Sequence, residues 1–401
     1  MLPHQIIGWA DEKKTKLKFK RDDAMLVYGG DSQDKGIGDI RFTKLLLALK
    51  KEYPHRVEFI IGNRDANKLR LATELHEDTI TNAHVLTDVS FPYWVDEKDR
   101  VTPQMYLDKN DAQNGGSSNN AANRLRWMLD KTMGAEGAFE RRRIELSEIR
   151  QCEKEEVTDD EVVDSYRNEV DPDRCEHDDN FMLQYLKEGK LAYVFGSNLF
   201  VHGAIDAETK GTVPGVDSPY VHVHQWVKAL NEWKQGQLDD FEADPKSGTN
   251  TKDRKGFGLM DYGVPGGNHG STIVYNHFLD NGNAQEIPHD VQEYLMAGHI
   301  KTVLAGHQPH GDCPCVIRSG QVTVITSDTS YSHFGHAESW GKDNRGPNCV
   351  NEVVVYRDGT SEVHGLLADG TKFAYKLAAG ARGGDKFVGR QLSDGFWVKA
   401  R

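Results

Sequence analysis

Between Ala24 and Leu75 the chain reads strand, loop, helix, strand, loop, helix, and this repeat constrains the fold more than any other feature. Met25–Tyr28 is a short apolar run stopped by Gly29 and Gly30, as a buried strand would be. Asp39 is placed to cap a helix in which Phe42, Leu45, Leu46 and Leu49 recur at helical spacing. Pro54 ends that helix. Val57–Ile61 then reads as a second buried strand stopping at Gly62, with another helix from about Ala66. Two βα units in succession imply parallel strands and an α/β architecture. In such sheets the chemistry gathers at the carboxyl ends of the strands. Here those ends read GGDSQDKG (29–36) and GNRD (62–65).

Residues from about Thr79 to Gly189 read as a long insertion. Asp108–Asn123 is rich in Gly, Ser and Asn and is expected to be a loop. Arg124–Val170 reads as charged helices, and the arginine run 141–143 within it is expected on a solvated face rather than at a phosphate. Apolar runs resume at Leu191–Phe195 and Leu199–His202, broken by Gly196-Ser197-Asn198. Tyr220–Phe241 is an amphipathic helix with Val223, Trp226, Leu230 and Trp233 on one face. His222 and His224 near its start point to different faces and read as structural or surface groups. Thr302–Ala305 is a further buried strand. Cys315–Arg318 and Val322–Thr326, joined by Ser-Gly-Gln, form a hairpin. Residues 351–401 read as antiparallel strands, with Asp-Gly turns at 358–359, 369–370 and 394–395.

Charge and composition narrow the function classes. Across 401 residues, 49 basic against 62 acidic side chains give a net charge of −13. That disfavours an extended nucleic-acid track or an anionic membrane surface, though not a local basic pocket. No apolar run approaches the roughly 18–20 residues that span a bilayer. The opening residues lack a basic-then-apolar leader layout, so export is not expected. Five cysteines, sparse and odd in number, read as reduced thiols in an intracellular, cytoplasmic protein.

Two more strand ends carry polar motifs, LFVHG (199–203) and GHQPHGD (306–312). A lone histidine at a strand end is more often structural than a ligand. Four motifs on one edge of a sheet are another matter. They supply Asp31, Asn63, His202 and His307, an oxygen and imidazole set that suits manganese, iron or zinc. The flanking glycines let the backbone turn sharply beside an ion or phosphate.

In this order the motifs resemble those of the calcineurin-like metallophosphoesterases, and within them the phosphoprotein phosphatase superfamily. The nearest branch looks like the ApaH-like (diadenosine tetraphosphatase-like) phosphatases. The family pattern GDxxDRG reads here Gly30-Asp31-Ser32-Gln33-Asp34-Lys35-Gly36, and GNHD/E reads Gly62-Asn63-Arg64-Asp65. Its later histidines match His202 and His307. The resemblance spans roughly residues 24–330, with a large insertion, and leaves out the C-terminal fifty residues. It implies two divalent ions (manganese, iron or zinc), with one ion as the alternative. Asp31 would bridge them, and Asn63, His202 and His307 would complete the second ion's shell. Two cations roughly 3.5–4 Å apart lower the pKa of a bridging water and make hydroxide available for in-line attack on phosphorus. Asp34 would sit on the leaving-group side and orient a partner residue. Lys35 takes the family's arginine position and would hold a phosphate oxygen as a point charge.

Two departures stand out. Arg64 replaces a histidine that in many relatives protonates the leaving oxygen. Arginine cannot donate a proton at useful pH, so a charge-clamping role is assigned to it, compatible with a salt bridge to Asp34. That tilts the substrate toward leaving groups of low pKa, such as a phosphate or nucleotide. The second departure is larger: no Asp-x-His motif precedes Asp31, although the family carries one on its first strand. The first ion would lose two ligands and the sheet a central strand. The chain is then either an N-terminally incomplete version of a longer protein or a natural variant that has lost catalysis. His310 is a weaker candidate ligand.

Other candidates rank lower. Cys313 and Cys315, with Cys152, Cys175 and His177, fit no closed zinc module and read as free thiols. Asp328–Ser332 resembles a segment of the ApaH-like branch and could support the metal site by a hydrogen bond, a plain turn being the alternative. Gly266–Gly270 could border the pocket. Arg41, Lys68 and Arg70 could contact phosphate or equally be ordinary helix-surface charges.

The expected fold is therefore α/β, a metallophosphoesterase-type α/β/β/α sandwich over residues 1–350 with a helical insertion, then a C-terminal antiparallel β extension over 351–401. The expected function is hydrolysis of phosphoester or phosphoanhydride bonds by metal-activated hydroxide at a dinuclear centre. Asp31, Asn63, His202 and His307 would ligate metal, Asp34 and Arg64 would be catalytic, and Lys35 and Arg64 would bind substrate. A dinucleoside polyphosphate, a nucleotide or a phosphoprotein would serve as substrate. The rival is a noncatalytic phosphate-binding or scaffold relative of such an enzyme.

Overall fold

The computed structural model describes residues 6–81, 97–114, 119–177, 179–246, 254–264, 270–280, 283–309, 311, 313–329, 349–367 and 369–379. An N-terminal hairpin, β1 (Ile7–Trp9) and β2 (Leu17–Phe19), lies ahead of the first βα unit. The unit itself is β3 (Leu26–Tyr28), α1 (Asp39–Glu52) and β4 (Val57–Phe59), and β3 and β4 pair in parallel with Leu26 opposite Val57. Ile40, Leu46 and Leu49 of α1 are buried, and Lys50 and Lys51 occupy its last turn, where cations suit the helix dipole. Phe42 remains more exposed than its spacing predicts and meets Tyr28 edge-on.

A parallel bridge from Ile60 to Lys190 leads from β4 toward a five-stranded mixed sheet. Its members are β5 (Ala192–Phe195), β6 (Asn198–Val201), β9 (Thr302–Ala305), β10 (Cys315–Ser319) and β11 (Val322–Thr326), in the order β10-β11-β9-β6-β5. β6, β9 and β11 run parallel, and the two flanking strands are hairpin partners. A short pair, β7 (Leu279–Asp280) and β8 (Asn283–Ala284), lies before β9. The C-terminal strands β12 (Val350–Val355), β13 (Ser361–Leu366) and β14 (Lys372–Leu377) form an antiparallel meander. Phe373, Tyr375 and Leu377 alternate inward and close a second core over Leu304, Val316 and Ile325. The fold is thus mixed α/β, with helices on one face of the central sheet and the C-terminal strands layered on the other.

The helices fill most of the remainder. After β4 come α2 (Asn63–Ala66), α3 (Arg70–Glu74) and α4 (Glu77–Thr81), short and closely spaced. The insertion holds α5 (Pro103–Asn114), α6 (Ala121–Trp127), α7 (Ala138–Arg150), α8 (Asp159–Asn168) and α9 (Phe181–Glu188). Thr158 and Glu161 start α8 as a reciprocal capping box. Beyond β6 lie α10 (Val223–Ala243), α11 (Phe257–Tyr262) and α12 (His289–Ala297). Val223, Trp226 and Leu230 of α10 are fully buried, as the periodicity requires, while His222 and His224 stay exposed. Among the described residues no helix is long and apolar enough to cross a membrane.

Several expectations need correction. The first part of Asp108–Asn123 is helical, because α5 runs to Asn114. The arginine run is not a solvated face. Arg142 is buried, donates to Glu169 at 2.8 Å and lies over the Tyr166 ring. Arg143 pairs with Asp159 and Glu140. Helical charge density alone cannot reveal that α8 and the loop after it cover this side of α7. Lys68 and Arg70 are not surface charges either: Lys68 is fully buried against Asp34, and Arg70 forks onto Glu74. Arg41 alone of the three behaves as a surface charge, paired to Glu148 at 2.8 Å. Cys152, Cys313, Cys315 and Cys349 are free thiols. Residues 265–269, His310, residues 330–332, the 394–395 turn and the side chains of Cys175 and His177 lie outside the described residues.

Candidate functional site

The ends of two parallel strand pairs, in separate sheets, place the candidate ligands. Asp31 follows β3, Asn63 follows β4, His202 follows β6, and His307 follows β9. Two of these residues, Asp31 (φ 55) and His307 (φ 69), have left-handed backbones, as does Asp34 (φ 82). That conformation costs an ordinary residue on the order of 1–3 kcal/mol and persists where surrounding structure over-determines it. Half of the positive-φ residues other than glycine among those described thus belong to this one site.

Asp65 ties the first two loops together. Its carboxylate accepts from the backbone N–H groups of Gly62 (2.8 Å), Asp31 (2.9 Å) and Ser32 (2.9 Å), and from Ser32 Oγ (2.9 Å). Burial beside the Asp31 charge pushes the Asp65 carboxyl up to about 6, against the pull of those donors. The last residue of GNRD is thus a positioning group, a role its sequence position alone does not disclose. Gly62 then permits close approach. A Cβ there would stand 2.2 Å from Asp31 Oδ1 and 2.8 Å from His202 Cε1. Gly62→Ala is therefore expected to displace both side chains and to weaken divalent-cation binding at least tenfold. Calorimetric titration with manganese checks this.

The ligand candidates converge on one another. Oxygens and nitrogens of Asp31, His202 and His307 lie within 4.8 Å. His202 Nδ1 donates to the Gly29 carbonyl at 2.8 Å, which turns Nε2 toward Asp31 Oδ1 and Asn63 Oδ1, both at 3.3 Å. His307 Nδ1 faces Asn63 Oδ1 at 3.1 Å, and the two imidazoles meet edge-on at 5.3 Å. The Asn63 oxygen thus faces acceptors; turned over, its amide nitrogen would donate to Asp31 and to both histidines at 3.1–3.3 Å. A carboxylate, two imidazoles and an amide oxygen sharing one focus form the donor set of a divalent transition ion. These four residues fit one such cation. The backbone carbonyl that fixes His202's tautomer is the kind of outer partner metal-bound histidines use.

The charges of these groups are set largely by burial and by one another. Burial opposes the charge on Asp31, but His202, Arg64 and His307 outweigh it and hold the carboxyl well below the usual range. Burial likewise disfavours charge on His202, yet Asp31 pushes it up to about 9. Burial and the His202 charge push His307 down to about 3, leaving a neutral ring with a free lone pair for a ligand.

The other predicted residues form a cationic flank. Arg64 Nε stands 3.6 Å from Asp31 Oδ2, and its Nη1 stands 3.5 Å from Asp34 Oδ2 and donates to Gly134 O at 3.2 Å. The predicted Arg64–Asp34 salt bridge is therefore present, with Asp31 as an additional partner. Lys35 Nζ donates to the same Gly134 carbonyl at 2.9 Å. Asp34 is fully buried, held by Lys68 at 2.6 Å, and its carbonyl accepts from Arg141 at 2.6 Å. Arg141, Gly134 and Asp65 are members to which motif reading gave no role, two of them contributed by the insertion, and Lys68, read as a phosphate contact or a surface charge, is a buried partner of Asp34. The ring of Tyr275 meets that of His307 at 4.6 Å.

Asp39 supports this flank from below, its Oδ2 accepting from Asp34 N at 2.9 Å. Burial, with Asp34 and Glu145 nearby, pushes its carboxyl up to about 7 despite Arg142. A carboxyl raised in the folded state favours folding while protonated, so this contribution is lost as pH rises from about 4 to about 7. Asp39→Asn keeps the acceptor and removes the charge. It is expected to match the parent near pH 4 and to exceed its stability at pH 8 by up to roughly 4 kcal/mol. Urea unfolding at both pH values checks it.

No family model and no curated protein matches the chain. Among solved structures, a cold-active protein tyrosine phosphatase is similar at a TM-score of 0.36 and 12% identity, over 91% of this chain and 70% of that one. Likeness at that level assigns neither an activity nor a substrate, so function rests on the site itself.

Proposed function

We propose that this protein is a cation-dependent phosphatase that hydrolyses phosphoester or phosphoanhydride bonds. The observation that carries the reading is the convergence of Asp31, Asn63, His202 and His307 from the ends of two parallel strand pairs beside the Arg64 and Lys35 side chains. Asp31, Asn63, His202 and His307 would hold the cation, with His202 fixed by the Gly29 carbonyl. A divalent ion there supplies positive charge that acidifies water and neutralises phosphoryl oxygens. Lys35 and Arg64 meet a phosphate oxygen as a point charge and a fork respectively. Asp34 keeps Arg64 in place rather than exchanging a proton, because its carboxyl is held below the usual range: Lys68 and Arg64 outweigh its burial. Arg64 protonates no leaving group, which favours nucleotides, dinucleoside polyphosphates and other low-pKa leaving groups over alkyl phosphates. A phosphoprotein substrate is the less favoured member of this class, and the cytoplasm is the proposed compartment.

The test compares the chain with Asp31→Asn, measuring metal content and manganese-dependent hydrolysis of an aryl phosphate. The variant is expected to lose about 10²–10³-fold in turnover, as when a preorganised charge is removed from an active site. Phosphate binding without turnover in the parent chain would instead favour the noncatalytic relative, a reading prompted by the missing Asp-x-His motif.

A further inference from the structure

We infer that the Arg64 guanidinium occupies the place of a second cation, so that the centre binds one metal ion per chain. This deepens the proposed function and rests on it. A carboxylate that bridges two ions, through one oxygen or through both, must leave room beside it for each of them. Asp31 offers Oδ1 to the side of His202 Nε2, at 3.3 Å, while Oδ2 faces Arg64 Nε at 3.6 Å. The guanidinium is pinned on its far side by Asp34 Oδ2 at 3.5 Å and by the Gly134 carbonyl at 3.2 Å. Asp34 Oδ2 is buried and makes no hydrogen bond, so the Arg64 charge is its compensation. Among the described residues, the candidate metal ligands that cluster are Asp31, His202 and His307, all belonging to one ion's focus. The other side of Asp31, where the ion short of ligands would sit, carries cations: Arg64, Lys68 on Asp34, and Lys35 on Gly134. The donor set therefore fits one ion and does not fit two.

One arginine supplies a delocalised positive charge between Asp31 and Asp34. A fixed cation thus stands beside the carboxylate that would have bridged two ions. The insertion takes part, since Gly134 lies between α6 and α7 and orients the guanidinium.

The experiment is manganese binding to the full chain, by elemental analysis after equilibrium dialysis and by electron paramagnetic resonance. The parent chain is expected to take up about one ion with an uncoupled signal, as a lone site gives. Arg64→Met leaves Asp31 and Asp34 without their shared counter-charge and is expected to admit a second, weaker ion with spin coupling. Arg64→Lys keeps the charge and is expected to stay at one. Circular dichroism melts establish that each variant is folded, and Arg64→Gln replaces Arg64→Met if that variant is not. Two coupled ions on the parent chain would overturn the inference while leaving the phosphatase reading intact. One ion on every variant would overturn the role given to Arg64. No bound manganese on any of them would overturn this inference and the cation-dependent reading together.

Discussion

His307→Gly is expected to lose divalent-cation affinity by more than about 100-fold, beyond what removal of an outer-sphere partner usually costs. Hydrolysis should fall with it. His307 has φ 69, so glycine removes the imidazole and also the strain of a side chain in the left-handed region. The folded state should therefore be no less stable than the parent, by up to about 1 kcal/mol in its favour. That pairing is informative, because a merely structural histidine would cost stability when removed and leave metal binding alone. Isothermal titration with manganese and a urea melt of the same sample decide the matter. Unchanged affinity would remove His307 from the ligand set.

The second large effect is expected from Lys68→Met. Lys68 and Asp34 are both fully buried and meet at 2.6 Å, with Arg64 at 3.5 Å from the other carboxylate oxygen. Breaking a buried pair by removing one partner strands a charge, which typically costs about 3–5 kcal/mol. Lys68 and Arg64 hold the Asp34 carboxyl below its ordinary value, against burial, so the stability it contributes is present above pH 4 and lost in acid. The variant should unfold at lower urea at pH 7, with the gap narrowing in acid as Asp34 is protonated. The double variant Lys68→Met, Asp34→Asn should recover part of the loss. A full-sized defect in the double variant would mean that packing of the lysine stem, not charge, is what Lys68 supplies.

The motifs were legible because each ligand candidate follows a short apolar run and a local break at a strand's end. Asp31 and Asn63 come after glycine, His202 after Phe200-Val201, and His307 after Gly306. Within each parallel pair, β3 with β4 and β6 with β9, strand polarity brings such ends to one edge. The hairpin at Ser319–Val322, the α10 helix and the C-terminal strands followed from periodicity and turn residues in the same way. Less legible were the charges. Lys68, Arg142 and Glu169 sit in stretches whose composition suits a solvated helix, yet all three are buried. Only the packing of α7 against α1 and α8, and of the turn after α2 against the Asp34 loop, decides that.

The sequence by itself determined the βα repeat, the strand ends and the identity of the converging oxygen and imidazole groups, because these depend on periods and breaks within some ten residues. The tertiary structure alone decided that Asp65 clasps two loops, that insertion residues Gly134 and Arg141 reach the site, and that Arg64 lies between two carboxylates. Apart from the bond between Asp65 and Gly62, these contacts join residues that lie from about thirty to more than a hundred positions apart. Their existence depends on which surfaces exclude water together, and no local pattern in the chain encodes it.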